Sequence, residues 1–290
     1  MRKKKLKRFT FTDFCIYAIV AILGFTVFYP LYNSVLISIV PQYEAIKHPF
    51  MLYPPKLDFS AYKFAFESTS VASGVFVSGM KVILGGALSM VLTLLTSYAL
   101  TRPLPGRRLI YAFLLIPTYF SGGIIPNYLL IDQLGLMNTI WALILPSSVS
   151  FGTVVIFMRY FNSLPEELEE SARLDGANDI LILFKILIPL MKPIIATYFL
   201  YGAVANWNSW FDGLLYIRTA SKMPIQTVLR NIIQESTIST MESTSGEEIA
   251  VYTEGVKMAC LVIGMAPIMA FYPFLQKYFV TGITAGAVKG

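Results

Sequence analysis

Long apolar runs without a charged side chain dominate this chain and alternate with short charged segments. The runs are Phe14–Tyr43, Val82–Thr101, Leu109–Ile131, Gln133–Met158, Pro193–Phe211 and Met258–Gln276. A helix needs about 20 mostly apolar residues to cross a bilayer, and in lipid its backbone must satisfy its own hydrogen bonds. The pattern therefore predicts six membrane-spanning helices, over residues of about 14–40, 80–101, 109–131, 139–158, 189–211 and 258–276.

Composition supports the same interpretation. Of the 290 residues, 56% are hydrophobic and only 14% are charged, with a mean hydropathy of +0.63. Soluble domains carry about 25% charged residues. Cys15 and Cys260 lie in apolar runs without metal-ligand spacing, and the chain has a single histidine, His48. We therefore expect an all-α membrane protein with one domain over residues 1–290, without a metal and without catalytic residues.

Basic residues predict the orientation in the membrane. The segment 1–8 is strongly basic, which is typical of a cytoplasmic terminus. The segment 101–108, which carries three arginines, then also lies on the inside. The segment 212–257 lies outside and is acidic. With six spans, the C-terminal tail over residues 277–290 is expected in the cytoplasm as well.

The cytoplasmic segment between the fourth and fifth predicted spans has the clearest local signal. It reads SLPEELEESARLDGAN over residues 163–178. Ser163 and Glu166 have the spacing of a capping box, and Pro165 suits a first helical turn. Four glutamates lie in the first turns, where the helix dipole favours anions. These features predict the start of a short acidic helix.

The rest of this segment predicts how the helix packs and where it ends. Leu164, Leu168 and Ala172 form a thin apolar stripe at helical spacing, and Gly176 suits the C-terminal end. Two interpretations follow from spacing alone. The helix is either a solvated connector, or it docks into the groove of a partner with its carboxylates as polar contacts.

Residues 170–193 resemble the EAA motif of permeases from ATP-binding-cassette (ABC) importers. That motif has Glu-Ala-Ala, three further residues, a glycine and, after a fixed interval, Ile-x-Leu-Pro. In this chain, Glu170–Ala172 match the first three positions, Gly176 the glycine and Ile186 the isoleucine. Ser171 and Ile188 are mild departures from the motif. The resemblance favours the docking interpretation.

Three other stretches resemble one group of these permeases. Residues 282–290 and 203–211 are similar to the tail and fifth span of maltose-type (MalG-like) sugar permeases. Residues 120–128 resemble an LplC-like subgroup that imports complex oligosaccharides. The resemblance covers nearly the whole chain. It implies the six-helix fold of a type-1 ABC importer permease (MetI-like).

The resemblance also implies the partners. We expect a second homologous permease in a heterodimer, two cytoplasmic ATPase subunits, an extracytoplasmic solute-binding protein and lipids of the bacterial inner (cytoplasmic) membrane. No nucleic-acid partner is expected. The Gly-rich loop ending in Gly-Lys-Ser/Thr is absent from this chain. The chain itself is therefore expected to hold no cofactor, with ATP and Mg bound by the partner ATPase. The implied cargo is an oligosaccharide or other sugar, and a peptide or lipid is the alternative.

Two regions are implied to contact the ATPase. The first is the coupling loop over residues 163–187 and the start of the next span, with Glu170, Ser171, Ala172, Asp175, Gly176, Ala177 and Pro189. The second is the tail, with Thr284, Ala285, Gly286 and Lys289. A disordered tail is the alternative interpretation.

Amide and aromatic side chains in two predicted spans are candidates for sugar contact, because amides bond hydroxyls and aromatic faces cover C–H faces. They are Asn206, Trp207, Asn208, Trp210, Tyr119, Asn127 and Tyr128. An interfacial aromatic belt with hydrogen bonds between helices explains the same residues. In the maltose-type family the partner permease can hold most sugar contacts.

Two other classes of membrane protein fit the sequence less well. Ion-coupled secondary transporters usually place ionisable residues in the membrane, and intramembrane enzymes need a titratable group for acid–base chemistry. The charge-free runs already supply all six predicted spans, and internal repeats are not apparent.

The orientation has a direct test. We expect reporter fusions after Gly106 to be active only with a cytoplasmic reporter, because Arg102, Arg107 and Arg108 hold this loop inside. Fusions at Ser243 should be active only with an external reporter. The opposite result at either site would reverse the predicted topology.

Overall fold

The computed structural model describes residues 10–67, 70–242 and 254–270. Every regular element in these ranges is a helix, which confirms the all-α class. The helices are α1 (Phe11–Ser38), α2 (Gln42–Lys47), α3 (Ser60–Glu67), α4 (Ser70–Thr101), α5 (Arg107–Tyr119), α6 (Ile124–Gln133), α7 (Ile140–Ser147), α8 (Phe151–Phe161), α9 (Glu167–Leu174), α10 (Asp179–Leu190), α11 (Lys192–Asn208), α12 (Phe211–Tyr216), α13 (Ile225–Glu242) and α14 (254–270).

Two of these helices, α1 and α4, are each long and apolar enough to cross a bilayer. Three bent pairs also pass this test together: α5 with α6 at 119°, α7 with α8 at 55°, and α10 with α11 at 83°. The described residues thus supply two spans, or up to five if each pair is one span. The sixth predicted span, 258–276, runs beyond the last described residue, so the count of six stays a prediction.

The apolar side chains of α1 are exposed on all sides of the helix. Phe14, Leu23 and Phe28 each expose more than half of their surface. A helix that is hydrophobic all round needs lipid or another apolar partner around it. The exposed surface of α1 therefore fits a span that faces the membrane.

Two compact units make up the described chain, one from residues 10–67, 232–242 and 254–263, the other from residues 70–231 and 264–270. The predicted single domain stays a prediction. In the larger unit, α4 packs along α8. One core cluster there joins α4, α8, α9 and α10, and its fully buried members are Phe157, Ile182, Leu187 and Met191.

A π-helical turn, Lys81–Gly85, interrupts α4 where the helix packs against α11. The approach is close at Gly86. A Cβ atom there would lie 2.8 Å from the Phe199 ring, which is closer than real Cβ contacts. Glycine at this position therefore allows α4 to lie against α11.

The structure adds detail to two predicted segments. The segment 212–257, which is predicted to lie outside the membrane, contains most of α12 and all of α13, and these helices are too polar or too short to be recognised as spans. The fifth predicted span begins as α10 and bends by 83° at the buried Met191 before α11. Pro193 lies in the first turn of α11, where a missing N–H costs nothing.

Candidate functional site

The acidic helix α9 begins at Glu167, three residues later than the capping box predicts. The Ser163 hydroxyl donates to the Tyr160 carbonyl at 2.7 Å, because the serine belongs to the turn that ends α8. The predicted capping box between Ser163 and Glu166 is therefore wrong. The first turn nevertheless carries Glu167, Glu169 and Glu170, as predicted, near the positive end of the helix dipole.

The C-terminal end of α9 is a Schellman motif. Gly176 has a φ of +81°, a left-handed conformation that glycine adopts without strain. Its N–H donates to the Arg173 carbonyl at 3.0 Å, and the Ala177 N–H donates to the Ala172 carbonyl at 2.9 Å. The predicted role of Gly176 in ending this helix is confirmed.

One face of α9 is fixed to the C-terminal end of α4. Ala172 is buried in the core cluster of the larger unit, and Ala177 packs against that cluster. Glu169 forms an ion pair with Arg102, and both side chains are mostly buried. The Arg102 guanidinium also lies 4.4 Å from the centroid of the Tyr98 ring. α9 therefore rests on its own chain through an apolar contact and a charged one.

A second set of contacts joins α9, α4 and α10. Arg173 and Asp179 form an ion pair at 2.5 Å, and the Tyr98 hydroxyl donates to the same carboxylate oxygen at 3.4 Å. The Asn178 side chain caps α10 by accepting from the Leu181 N–H at 2.8 Å. These contacts fix the angle between α9 and α10.

The opposite face of α9 points away from the core. Four exposed side chains of α9 follow helical spacing along one stripe: Glu167, Glu170, Ser171 and Leu174. Leu174 is 89% exposed. Of the predicted coupling residues, Ala172 is buried and Ala177 half-buried. Glu170, Ser171, Asp175, Gly176 and Pro189 are exposed.

An ion pair that sequence reasoning missed lies near the other end of α4. The Lys81 ammonium is 3.2 Å from the Asp212 carboxylate on α12, and the lysine side chain is only 1% exposed. The Ser209 hydroxyl donates to the same carboxylate at 2.8 Å. Lys81 lies inside the predicted span 80–101, so the expectation of spans free of ionisable residues is wrong there. Its partner is 131 positions away and invisible to local patterns.

A small cavity opens beside the π-helical turn, between α4, α7 and α11. Its volume is about 120 Å³. The polar side chains that line it are Ser89, Ser147, Tyr198 and Asn206. Of the seven predicted sugar contacts, only Asn206 lines this cavity.

The two predicted tryptophans have contacts within the chain. Trp207 is buried and donates its indole N–H to the Gly264 carbonyl at 2.9 Å. The Arg230 guanidinium lies 4.6 Å from the Trp210 ring centroid. These contacts match the packing interpretation of both residues. Asn208, between them, is exposed.

The remaining candidates lie near the sharp bend between α5 and α6. Tyr119 is 75% exposed at the end of α5, and Asn127 is exposed on α6. Tyr128 accepts a hydrogen bond from Arg218 at 3.4 Å, and this bond raises the pKa of Arg218. The structure therefore separates these three residues from the cavity that Asn206 lines.

Comparison with known proteins decides the family. Residues 104–285 match the family described as binding-protein-dependent transport system inner membrane component. The match covers more than half of the chain. This chain belongs to that permease family.

Individual relatives agree with this assignment. The permease is 37% identical to the protein LplC of Bacillus subtilis, over 87% of this chain and 86% of the relative. It is 35% identical to a polygalacturonan/rhamnogalacturonan transport system permease, YtcP, of the same organism, over 96% and 98% of the two chains. A bacterial ABC transporter involved in import of the acidic polysaccharide alginate is 26% identical, with a TM-score of 0.81. That match covers 96% of the permease and all of the solved chain.

The resemblance to ABC sugar permeases is thus confirmed, and so are the fold class and the membrane location. The predicted tail contacts, Thr284, Ala285, Gly286 and Lys289, lie outside the described residues. In the part of the permease that the structure describes, no cluster of His, Cys, Asp and Glu has the geometry of a metal site. The absence of a metal stays a prediction.

The Lys81–Asp212 pair should contribute to the stability of the permease, and substitutions at both positions test this. We expect Asp212→Asn to lower the free energy of unfolding by about 3 kcal/mol, since it leaves a buried ammonium without its anion. The double variant Lys81→Met/Asp212→Asn should recover most of that loss. Thermal unfolding of the purified complex measures both. The exposed Asp132→Asn is the matched control and should change little. Equal stability of Asp212→Asn and wild type would show that the pair is unimportant.

Proposed function

We propose that this permease is one of two membrane-spanning subunits of an ABC importer that takes up an oligosaccharide from a solute-binding protein. The single observation that carries the proposal is α9, a short acidic helix held firmly on α4, with one exposed face. Family membership supports a binding-protein-dependent system. Two ATPase subunits on the cytoplasmic side bind ATP and Mg, and both termini of the permease lie on that side.

The cargo class rests on the relatives. The names of two of them, at 35% and 28% identity, refer to transport of polygalacturonan/rhamnogalacturonan and of arabinooligosaccharides. The solved alginate importer supports a saccharide cargo as well. These sugars are all polyhydroxylated, but some are acidic and others are neutral. The proposed cargo is therefore an oligosaccharide, with its charge left open.

Uptake by the reconstituted importer tests this function. The complex is assembled in vesicles with its second permease, its ATPase and its binding protein. Labelled oligomers of galacturonan, arabinan and raffinose type are supplied, with a peptide mixture as the control cargo. ATP-dependent uptake of at least one oligosaccharide is expected. Uptake of peptides alone would overturn the proposal.

The coupling step is assigned to the exposed face of α9. Glu170 and Leu174 offer a carboxylate and an apolar side chain on the same stripe, which suits a groove with basic and apolar walls. Ala172 and Ala177 act indirectly, because they seat the helix on its own core. Asp175, Gly176 and Pro189 fix the path of the chain into α10 and α11. The tail residues, from Thr284 to Lys289, are proposed to contact the ATPase as well.

Charge reversal at this face predicts loss of coupling. Glu170→Lys and Gly176→Pro should abolish transport while the permease remains in the membrane. An unmatched charge in an interface costs about 2–5 kcal/mol, and proline cannot adopt the positive φ of Gly176. Transport, membrane abundance and recovery of the ATPase with the permease are measured together.

Glu67→Lys serves as the matched control for charge. Glu67 is exposed on α3, and its contact with Lys63 is a 4.0 Å surface pair. This variant should transport normally. If Glu170→Lys and Gly176→Pro also transport normally, α9 is a solvated connector.

A further inference from the structure

Polar side chains from three helices line the cavity beside the π-helical turn. Ser89 comes from α4, Ser147 from α7, and Tyr198 and Asn206 from α11. Within the described ranges 10–67, 70–242 and 254–270, no hydrogen bond joins any of these four side chains to another residue. Ser147 is exposed and the other three are half-buried. Four neighbouring polar groups from three separate helices therefore face one space with their hydrogen-bonding capacity unused.

Such groups are costly at the level of a membrane. A polar group that is taken from water without a new partner loses about 1–3 kcal/mol by protein mutational measures. Lipid offers no replacement. Water, a group of the second permease or a hydroxylated molecule in the cavity therefore has to satisfy them.

The size of the cavity limits what it accepts. One water needs about 10–15 Å³ of such space, so about 120 Å³ accommodates several waters. Pockets that enclose a whole small ligand run from about 300 to 1,000 Å³. The cavity therefore fits one edge of a sugar ring, and the rest of the molecule lies outside it.

The chemistry of the lining limits the ligand further. None of its eleven residues carries a charge, and the nearby Lys81 ammonium is already neutralised by Asp212. The aromatic ring of Phe199 and the ring of Tyr198 complete the wall. Uncharged donors and acceptors beside aromatic faces match hydroxyls and C–H groups. A carboxylate would find no cation here.

We propose that this cavity is a subsite for the uncharged, hydroxyl-bearing edge of one sugar residue as the oligosaccharide passes the permease. The proposal rests on the proposed function, and it assigns this subunit a sugar contact of its own. Asn206 and Ser89 make hydrogen bonds to sugar hydroxyls, and Phe199 covers a C–H face. Any acidic groups of the cargo stay outside this subsite.

An apolar groove on another side of α11 supplies the matched control. It has a volume of about 430 Å³ and is lined almost wholly by apolar side chains, among them Ala196, Val204 and Ile268. Val204 lies two residues before Asn206 on the same helix. A difference in reactivity between these two positions therefore comes from the surroundings of each side chain and not from the helix that carries both.

Thiol accessibility tests whether the cavity is open to water. Asn206→Cys and Val204→Cys are each made in a background with Cys15→Ser and Cys260→Ala, and the complex is treated with a small hydrophilic methanethiosulfonate. The thiolate, which forms in water and not in lipid, attacks the reagent's sulfenyl sulfur, forms a mixed disulfide and expels methanesulfinate. We expect Asn206→Cys to react at least about tenfold faster. Equal or slower reaction than Val204→Cys would overturn the subsite.

Transport kinetics tests whether the cavity contacts sugar. The probe is whichever oligomer of galacturonan, arabinan or raffinose type the wild-type complex takes up. Asn206→Leu and Ser89→Ala should each reduce uptake efficiency about tenfold, since a polar contact to the cargo is lost. Val204→Leu, in the apolar groove on the same helix, should leave uptake unchanged. Unchanged uptake by Asn206→Leu contradicts the subsite, whereas failure of the wild type to take up any oligosaccharide contradicts the proposed function.

Discussion

The ion pair between Arg102 and Glu169 is the interaction on which the rest of this arrangement depends. Arg102 directly follows α4, and Glu169 belongs to α9, so the pair joins the exposed acidic helix to a helix of 32 residues. At 1.5 Å per residue, α4 is roughly 48 Å long, enough to cross a bilayer with turns to spare. The same helix carries Ser89 at the cavity and Lys81 at the contact with α12. All three sites therefore share one helix.

Burial distinguishes this pair from the surface ion pair Lys63–Glu67. Arg102 and Glu169 are 27% and 17% exposed, and the guanidinium also covers the Tyr98 ring. Hydrogen bonds to charged groups in such settings contribute about 1.5–3 kcal/mol. The surface pair Lys63–Glu67, at 4.0 Å and with both side chains mostly exposed, contributes at most about 1 kcal/mol. Of these two pairs, the first therefore contributes more to the contact between its two elements.

Local patterns predicted the features of the fold that local physics determines. Charge-free runs predicted helices, because only helices satisfy the backbone in lipid. Gly176 was predicted to end α9, because a left-handed residue follows from the Schellman geometry. The capping box failed at Ser163, because the Tyr160 carbonyl competes for its hydroxyl. Long-range contacts were beyond such patterns: Asp212 opposite Lys81, Gly264 opposite Trp207, and a cavity assembled from three helices.

Because Arg102 and Glu169 join α4 to α9, we expect the two helices to move together. The most direct measurement is ATPase stimulation by loaded binding protein in Arg102→Glu, in Glu169→Arg and in the variant with both changes. We expect each single reversal to lower stimulation about tenfold or more while the ATPase still co-purifies, because the exposed face of α9 is unchanged. The double exchange should restore much of the stimulation. Wild-type stimulation in both single variants would contradict the account.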